Sequence, residues 1–108
     1  MGGLVTRIDY ADTRTRAALG AEARLLELYE ITWETINVQL PSTGARVRVT
    51  VSGSGDPLLI LPGGAGEAFP YVPLIAKLKG WRCIAINRPG GGLSDGIDHR
   101  ARWQLLGR

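Results

Sequence analysis

Residues 58–66 read Leu-Leu-Ile-Leu-Pro-Gly-Gly-Ala-Gly, a short apolar run that ends in a glycine-rich turn. A continuous apolar run of this length is typical of a strand that is buried on both faces of a parallel sheet. The pattern recurs at residues 83–92, where Cys-Ile-Ala-Ile-Asn precedes Arg-Pro-Gly-Gly-Gly. Residues 69–78 between them have the spacing of a helix of about ten residues. The sequence therefore predicts a βαβ unit with two parallel strands.

Two segments that alternate between polar and apolar residues precede this unit. They cover residues 32–40 and residues 46–51, and the second reads Arg-Val-Arg-Val-Thr-Val. Alternation with β-branched residues predicts strands, and the turn at residues 41–44 joins them into an antiparallel hairpin. A second turn at residues 52–57 leads into the parallel strand at residues 58–61. The expected fold class is therefore α/β, with a β-hairpin followed by the βαβ unit.

The first 31 residues predict a polar lead-in over residues 1–12 and an amphipathic helix over residues 13–31, capped by Asp12 or Thr13. Charged residues, among them Glu22, follow one side of this helix. The other side carries the apolar residues Ala17, Ala18, Ala21, Leu25, Leu28 and Tyr29. We expect this apolar side to pack on its own domain, and the alternative is that it binds a partner.

Composition and charge exclude several classes of protein. The chain has 108 residues, a net charge of +3, 44% hydrophobic and 21% charged residues, which is ordinary for one small globular domain. The scattered positive charge does not predict nucleic-acid binding, and no apolar run is long enough to cross a membrane. The single cysteine, Cys83, excludes an internal disulfide and a CxxC metal site, and fits a cytoplasmic location. No metal or organic cofactor is predicted.

The glycine turns fit two kinds of chemistry. Ligands bind beyond the carboxyl ends of parallel strands, and free N–H groups beside a helix start favour negative charge. Phosphate binding fits poorly, because Glu67 and Ala68 follow Gly66 where a P-loop has Lys and Ser or Thr. Phe69 also occupies the last glycine position of a dinucleotide-binding fingerprint. An oxyanion hole for acyl transfer fits better.

From residue 32 to residue 95 the chain resembles the N-terminal half of an α/β-hydrolase. The Pro-Gly-Gly-Ala-Gly turn at residues 62–66 resembles the HG-type turn after that family's third strand. Residues 88–95, Arg-Pro-Gly-Gly-Gly-Leu-Ser-Asp, resemble the GxGxSD turn after its fourth. The resemblance implies an incomplete hydrolase domain at residues 32–108. In its complete form it would cleave ester, amide or related bonds through a serine.

The resemblance also implies roles for individual residues. Gly64 would supply an oxyanion-hole N–H, and Gly63 and Gly66 would let the backbone turn tightly. Pro62 stands where the family often has histidine. The second turn would shape the edge of the site through Arg88, Gly90, Gly92, Ser94 and Asp95.

No catalytic triad is recognisable. Residues 92–96 satisfy G-x-S-x-G, but Ser94 does not lie directly between a strand and a helix, as the nucleophile of this family does. His99, the only histidine, lies five residues further on and is expected at the surface. Burial in mid-strand makes Cys83 a poor nucleophile. We therefore expect the chain to be truncated before the nucleophile and inactive alone.

The remaining expectations concern partners. A small-molecule substrate is expected only when the missing half is supplied. The alternative to an enzyme is a non-catalytic interaction module that pairs through the amphipathic helix or through an exposed sheet edge. Because the outer neighbour of the strand at residues 58–61 is absent, self-association through that edge is expected.

A short helix is predicted at residues 98–106.

Overall fold

The structure, a computed structural model, describes residues 5–64 and 66–97. It is a small mixed α/β fold with a four-stranded sheet in the order β2-β3-β5-β4 and a two-stranded pair, β1 with β6. The elements in chain order are β1 (Val5–Thr6), α1 (Thr13–Leu28), β2 (Trp33–Gln39), β3 (Arg46–Ser52), β4 (Asp56–Ile60), a 3-10 turn (Phe69–Tyr71), α2 (Val72–Ile75), β5 (Trp81–Ile86) and β6 (Gly96–Ile97).

The strand pairing confirms both the hairpin and the parallel unit. Strands β2 and β3 are antiparallel, with Val49 opposite Ile36. Strand β5 pairs antiparallel with β3 on one side and parallel with β4 on the other, with Leu58 beside Cys83. The crossover between β4 and β5 therefore brings both glycine turns to the same edge of the sheet, at the carboxyl ends of the parallel strands.

Helix α1 begins where the sequence predicts and ends three residues earlier. The Asp12 carboxylate caps it by accepting hydrogen bonds from the backbone N–H groups of Arg14 at 2.9 Å and Thr15 at 3.3 Å. Near its end the chain leaves the helix through Glu30, whose φ of 56° is left-handed. Aspartate satisfies N–H groups that the first turn leaves unpaired, so the helix start is fixed locally.

The contact through which α1 packs on the sheet differs from the prediction. Glu22 is the buried residue of the helix, while Ala17, Ala18 and Ala21 are exposed. Both carboxylate oxygens of Glu22 accept hydrogen bonds from the Arg48 guanidinium, at 2.7 and 2.6 Å, and Trp33 Nε1 donates to one of them at 3.2 Å. An ion pair with the sheet therefore replaces the expected alanine contact. Local helical spacing gives no sign of it.

The segment after the first glycine turn is also shorter than predicted. In place of a helix of about ten residues, the 3-10 turn is followed by the single turn of α2. Pro70 and Pro73 lack the N–H groups that a continuous helix needs early on, which favours tighter turns. After α2 the chain forms another tight turn, in which Lys77 N–H donates to the Leu74 carbonyl at 2.9 Å. Gly80, at φ +86°, leads into β5.

Two other features differ from the sequence prediction. Strand β4 begins at Asp56, so a charged residue and Pro57 open the edge strand. Residues 5–6, predicted as part of a polar lead-in, form a strand against Gly96–Ile97. Two-residue strands are too short for periodicity to reveal. The predicted helix at residues 98–106 and His99 lie outside the described residues.

The sheet has one covered face and one open apolar face. Arg48, Thr50 and Ser52 of β3 are buried on the covered face, on which α1 and α2 lie within the described chain. The opposite face, here called the open face, consists of Ile36, Val38, Val49, Val51, Leu59 and Ile84. Ile36, Val38 and Leu59 are 48%, 46% and 56% exposed. The polar side of β3 is thus its more buried side.

Replacing Glu22 with alanine should destabilise the fold strongly. The substitution leaves the buried Arg48 guanidinium without its carboxylate, and breaking a buried pair in this way costs about 3–5 kcal/mol. Glu27→Ala, on an exposed position of the same helix, is the matched control and should change stability by less than about 0.5 kcal/mol. Urea denaturation followed by circular dichroism measures both. Equal losses would show that the ion pair does not hold the helix.

Candidate functional site

The first glycine turn follows β4 and is fixed by its own backbone. Gly63 N–H donates to the Tyr71 hydroxyl at 3.1 Å, and Gly66 N–H donates to the Gly63 carbonyl at 3.0 Å. Gly64 and Gly66 have left-handed φ values of +57° and +75°, whereas Gly63 does not require a positive φ. Within the described residues, the exposed Gly64 N–H donates to no protein acceptor.

Arg88 joins the first turn to the end of β5. Its backbone N–H donates to the Gly66 carbonyl at 3.0 Å, and its Nη2 donates to the Gly64 carbonyl. A Cβ at Gly66 would lie 2.7 Å from Arg88 Nε, so this glycine leaves room for the guanidinium. The carbonyl of Gly64 is therefore held from the β5 side.

Asn87, the first residue after β5, connects both turns to the sheet. It is 2% exposed, and its Oδ1 accepts a hydrogen bond from Ala68 N–H at 2.8 Å. Its Nδ2 and its backbone N–H both donate to the Arg48 carbonyl, at 3.0 and 2.9 Å. A Cβ at Gly92 would lie 2.6 Å from Asn87 Oδ1, so the second turn passes directly over this amide.

Ser94 is held within the second turn and faces no solvent. It is 1% exposed, its Oγ donates to the Asn87 carbonyl at 2.7 Å, and the same Oγ accepts from Arg48 N–H at 2.8 Å. Gly90, Gly91 and Gly92 carry the chain around it, with Gly90 and Gly92 at φ +81° and +54°. This hydroxyl ties two backbones together and has no access to a substrate.

Asp95 anchors the end of the second turn. Its carboxylate accepts from the backbone N–H groups of Arg46 at 2.8 Å and Ile8 at 2.9 Å, and the side chains of Arg7 and Arg46 donate to it at 3.1 and 3.3 Å. Burial alone would raise the pKa of Asp95, but the backbone donors and the Arg46 guanidinium outweigh it and lower that pKa. Asp95 N–H also donates to the Arg46 carbonyl at 2.9 Å.

A cavity of about 230 Å3 lies between α1 and this edge of the sheet. Its polar walls come from Glu22, Arg48, Glu67 and Asn87, and Phe69 and Leu93 supply apolar area. The hydrogen bonds that the Arg48 guanidinium donates to Glu22 raise the pKa of that guanidinium, which stays charged. Gly64 does not belong to the cavity wall among the described residues. The cavity and the first turn are therefore neighbouring features of one edge.

Other chemistry-bearing groups are few in the described chain. Cys83 is 2% exposed on β5, and burial raises the pKa of its thiol, which keeps it protonated. No group of three His, Cys, Asp or Glu side chains in residues 5–64 and 66–97 could hold a metal ion. Over the same residues, no helix is both long and apolar enough to cross a membrane.

The structure brings together all the residues singled out in the two turns and adds three that sequence reasoning missed. Asn87, Arg48 and Glu22 form the connection between the turns, the sheet and α1. Asn87 had a sequence signal, because a polar amide directly after a buried strand needs hydrogen-bond partners. Arg48 had none, because alternation with valines would place it on the solvent side of its strand.

Substituting Gly92 should cost clearly more than substituting Gly90. Both glycines have left-handed φ values, so alanine carries a similar backbone cost of about 1 kcal/mol at each. At Gly92 the new methyl also displaces the buried Asn87 amide and its hydrogen bonds, which adds about 1–3 kcal/mol. At Gly90 nothing lies within 4 Å. Equal melting temperatures for the two alanine variants would contradict this packing.

The Asp95 carboxylate should make stability fall in acid. Because its pKa is lowered in the folded chain, its contribution is full above the unfolded value of about 3.9 and is lost as the pH falls through the lower folded value. Asp95→Asn should therefore destabilise at neutral pH and flatten the acid limb. Asp56→Asn, at an exposed position, is the control. Denaturation midpoints measured from neutral to strongly acid pH test this, and an unchanged acid limb in Asp95→Asn would contradict it.

Comparisons with protein-family models, with curated proteins and with solved structures find no match to this chain. The functional assignment therefore rests on the residues and their geometry.

Proposed function

We propose that this chain carries the oxyanion side of a serine-type α/β-hydrolase site. The observation that carries the proposal is the strand order, in which β5 lies between β3 and β4 and both glycine turns leave one edge of the sheet. In the family that residues 32–95 resemble, the strand before the first glycine turn has an outer neighbour that bears the nucleophile. Among the described residues, β4 lies at one of the two edges of the sheet, so its outer side is open to another strand.

The first turn suits an oxyanion hole because its geometry is set in advance. Gly63 N–H is bound by Tyr71, and the Gly64 carbonyl is bound by Arg88, which leaves the Gly64 N–H to face a ligand. A donor fixed before reaction stabilises the charge that develops on a tetrahedral intermediate without reorganising. A single donor of this kind is worth about 10²–10³ in kcat.

The reaction class is hydrolysis of an ester, amide or related bond, and the nucleophile, acid and base belong to a further segment. Ser94 cannot act as nucleophile, because both hydrogen bonds of its buried hydroxyl go to backbone groups. The substrate is a small molecule that meets the carboxyl edge. The Gly64 N–H binds the carbonyl oxygen, and the second turn forms the neighbouring wall.

The 108-residue chain should not turn over short aryl esters above the buffer rate, and Ser94→Ala should leave that result unchanged. Activity in the chain that disappears in Ser94→Ala would overturn the assignment of Ser94. The coding sequence downstream of Arg108 tests the proposal from the other side. It should encode a strand, a G-x-S-x-G turn and a helix, followed by an acid and a histidine, and a sequence without them would contradict the proposal.

A chain that includes such a segment allows a matched test of Gly64. Gly64→Val and Gly80→Val replace exposed glycines with left-handed φ values and open space around the Cβ, so their backbone costs are similar. Only the first substitution displaces the proposed N–H donor. We expect kcat to fall by about 10²–10³ in Gly64→Val and far less in Gly80→Val. Equal losses in the two variants would contradict the role of Gly64.

A further inference from the structure

The open face is an apolar surface that also carries one acid and one base. Glu34 of β2 lies in the same row as Val51 and Ile84, and Arg82 of β5 lies on the same face two residues before Ile84. Both are exposed, and both line a groove on this face together with its apolar residues. Neither belongs to an ion pair within the described residues.

Sheet geometry explains why Glu34 and Arg82 do not pair within one chain. They are two strands and two residues apart, which corresponds to roughly 10 Å across the sheet and roughly 7 Å along it. That separation exceeds the reach of a direct salt bridge. The two charges are nevertheless arranged so that each can meet the other in a second molecule that is turned over onto the same face.

We propose that the open face binds a second copy of this chain in a two-fold symmetric dimer. In such a dimer Glu34 of each copy lies over Arg82 of the other, because an isologous interface exchanges the two positions. On an ideal sheet the axis that does this passes between Val51 and Ile84. The same rotation brings Ile36 of one copy over Pro57 and Leu59 of the other copy, so apolar residues meet apolar residues.

The face itself favours this occupant over pairing at the β4 edge. Strand β4 has five residues and opens with Asp56 and with Pro57, which has no N–H to donate, so it offers a short template for a further strand. The open face offers six apolar side chains and two charge pairs. Its flat projection is roughly 400 Å2 per copy, from strand spacing and rise, so two copies bury roughly 800 Å2 in total, which is the size of weak, reversible interfaces.

The dimer is proposed for the 108-residue chain alone, and the failure of either proposal leaves the other standing. Sedimentation equilibrium of the 108-residue chain at several concentrations should give a monomer–dimer curve. Glu34→Arg and Arg82→Glu should each weaken the dimer at least about tenfold, because each places like charges opposite one another twice. Glu27→Arg, at an exposed position of α1, is the matched control and should leave the monomer–dimer curve unchanged. Circular dichroism verifies that each variant remains folded.

The decisive arm is an equimolar mixture of the Glu34→Arg and Arg82→Glu chains. In the mixed dimer both pairs are again of opposite charge, so association should return to the level of the unaltered chain. The double variant Glu34→Arg/Arg82→Glu should associate equally well. A monomeric unaltered chain would overturn the proposal. Single variants that associate like the unaltered chain would overturn it in favour of the β4 edge, and a mixture no better than its components would also overturn it.

Discussion

Arg48 is the residue through which most of this small structure is connected. Its carbonyl accepts two hydrogen bonds from Asn87, its N–H donates to Ser94, and its guanidinium binds Glu22 of α1. One strand position therefore links the helix, the end of β5 and the second glycine turn. A buried guanidinium is costly unless it is fully paired, so the position of α1 and the positions of the turns are set together.

The consequence is that strand β3 has its polar side inside. Arg48 and Thr50 are buried, while Val49 and Val51, which alternate with them, belong to the open face. The same choice explains why α1 docks on the sheet through Glu22. It also leaves an apolar surface on the other side of the sheet, which is the basis for the proposed dimer.

The sequence was sufficient for the elements that depend on local signals. Alternation in residues 46–51, the glycine turns and the cap at Asp12 predicted the hairpin, the parallel pair and the start of α1. It was insufficient wherever partners are distant in the chain. The Glu22–Arg48 pair joins positions 26 residues apart, and no periodicity indicates which side of a strand will be covered.

In the candidate site, the sequence indicated the glycines and missed the residue that positions them. Gly64 and Gly66 need left-handed backbone, which glycine-rich composition suggests, but the hydrogen bonds of Asn87 bridge about twenty to forty residues. Such contacts follow from the register between β3 and β5. Only the folded sheet reveals that the second turn lies over the Asn87 amide.

The central claim about this molecule is that the polar network around Arg48 and Asn87 holds both glycine turns rigid. Native-state hydrogen exchange tests this directly at the amides of Ala68 and Arg48, whose acceptors are the side chains of Asn87 and Ser94. If the claim is right, both amides exchange only through global unfolding, as slowly as the Ile84 amide in the central strand β5. Exchange of the Ala68 amide at the rate of an open loop, while Ile84 stays protected, would contradict it.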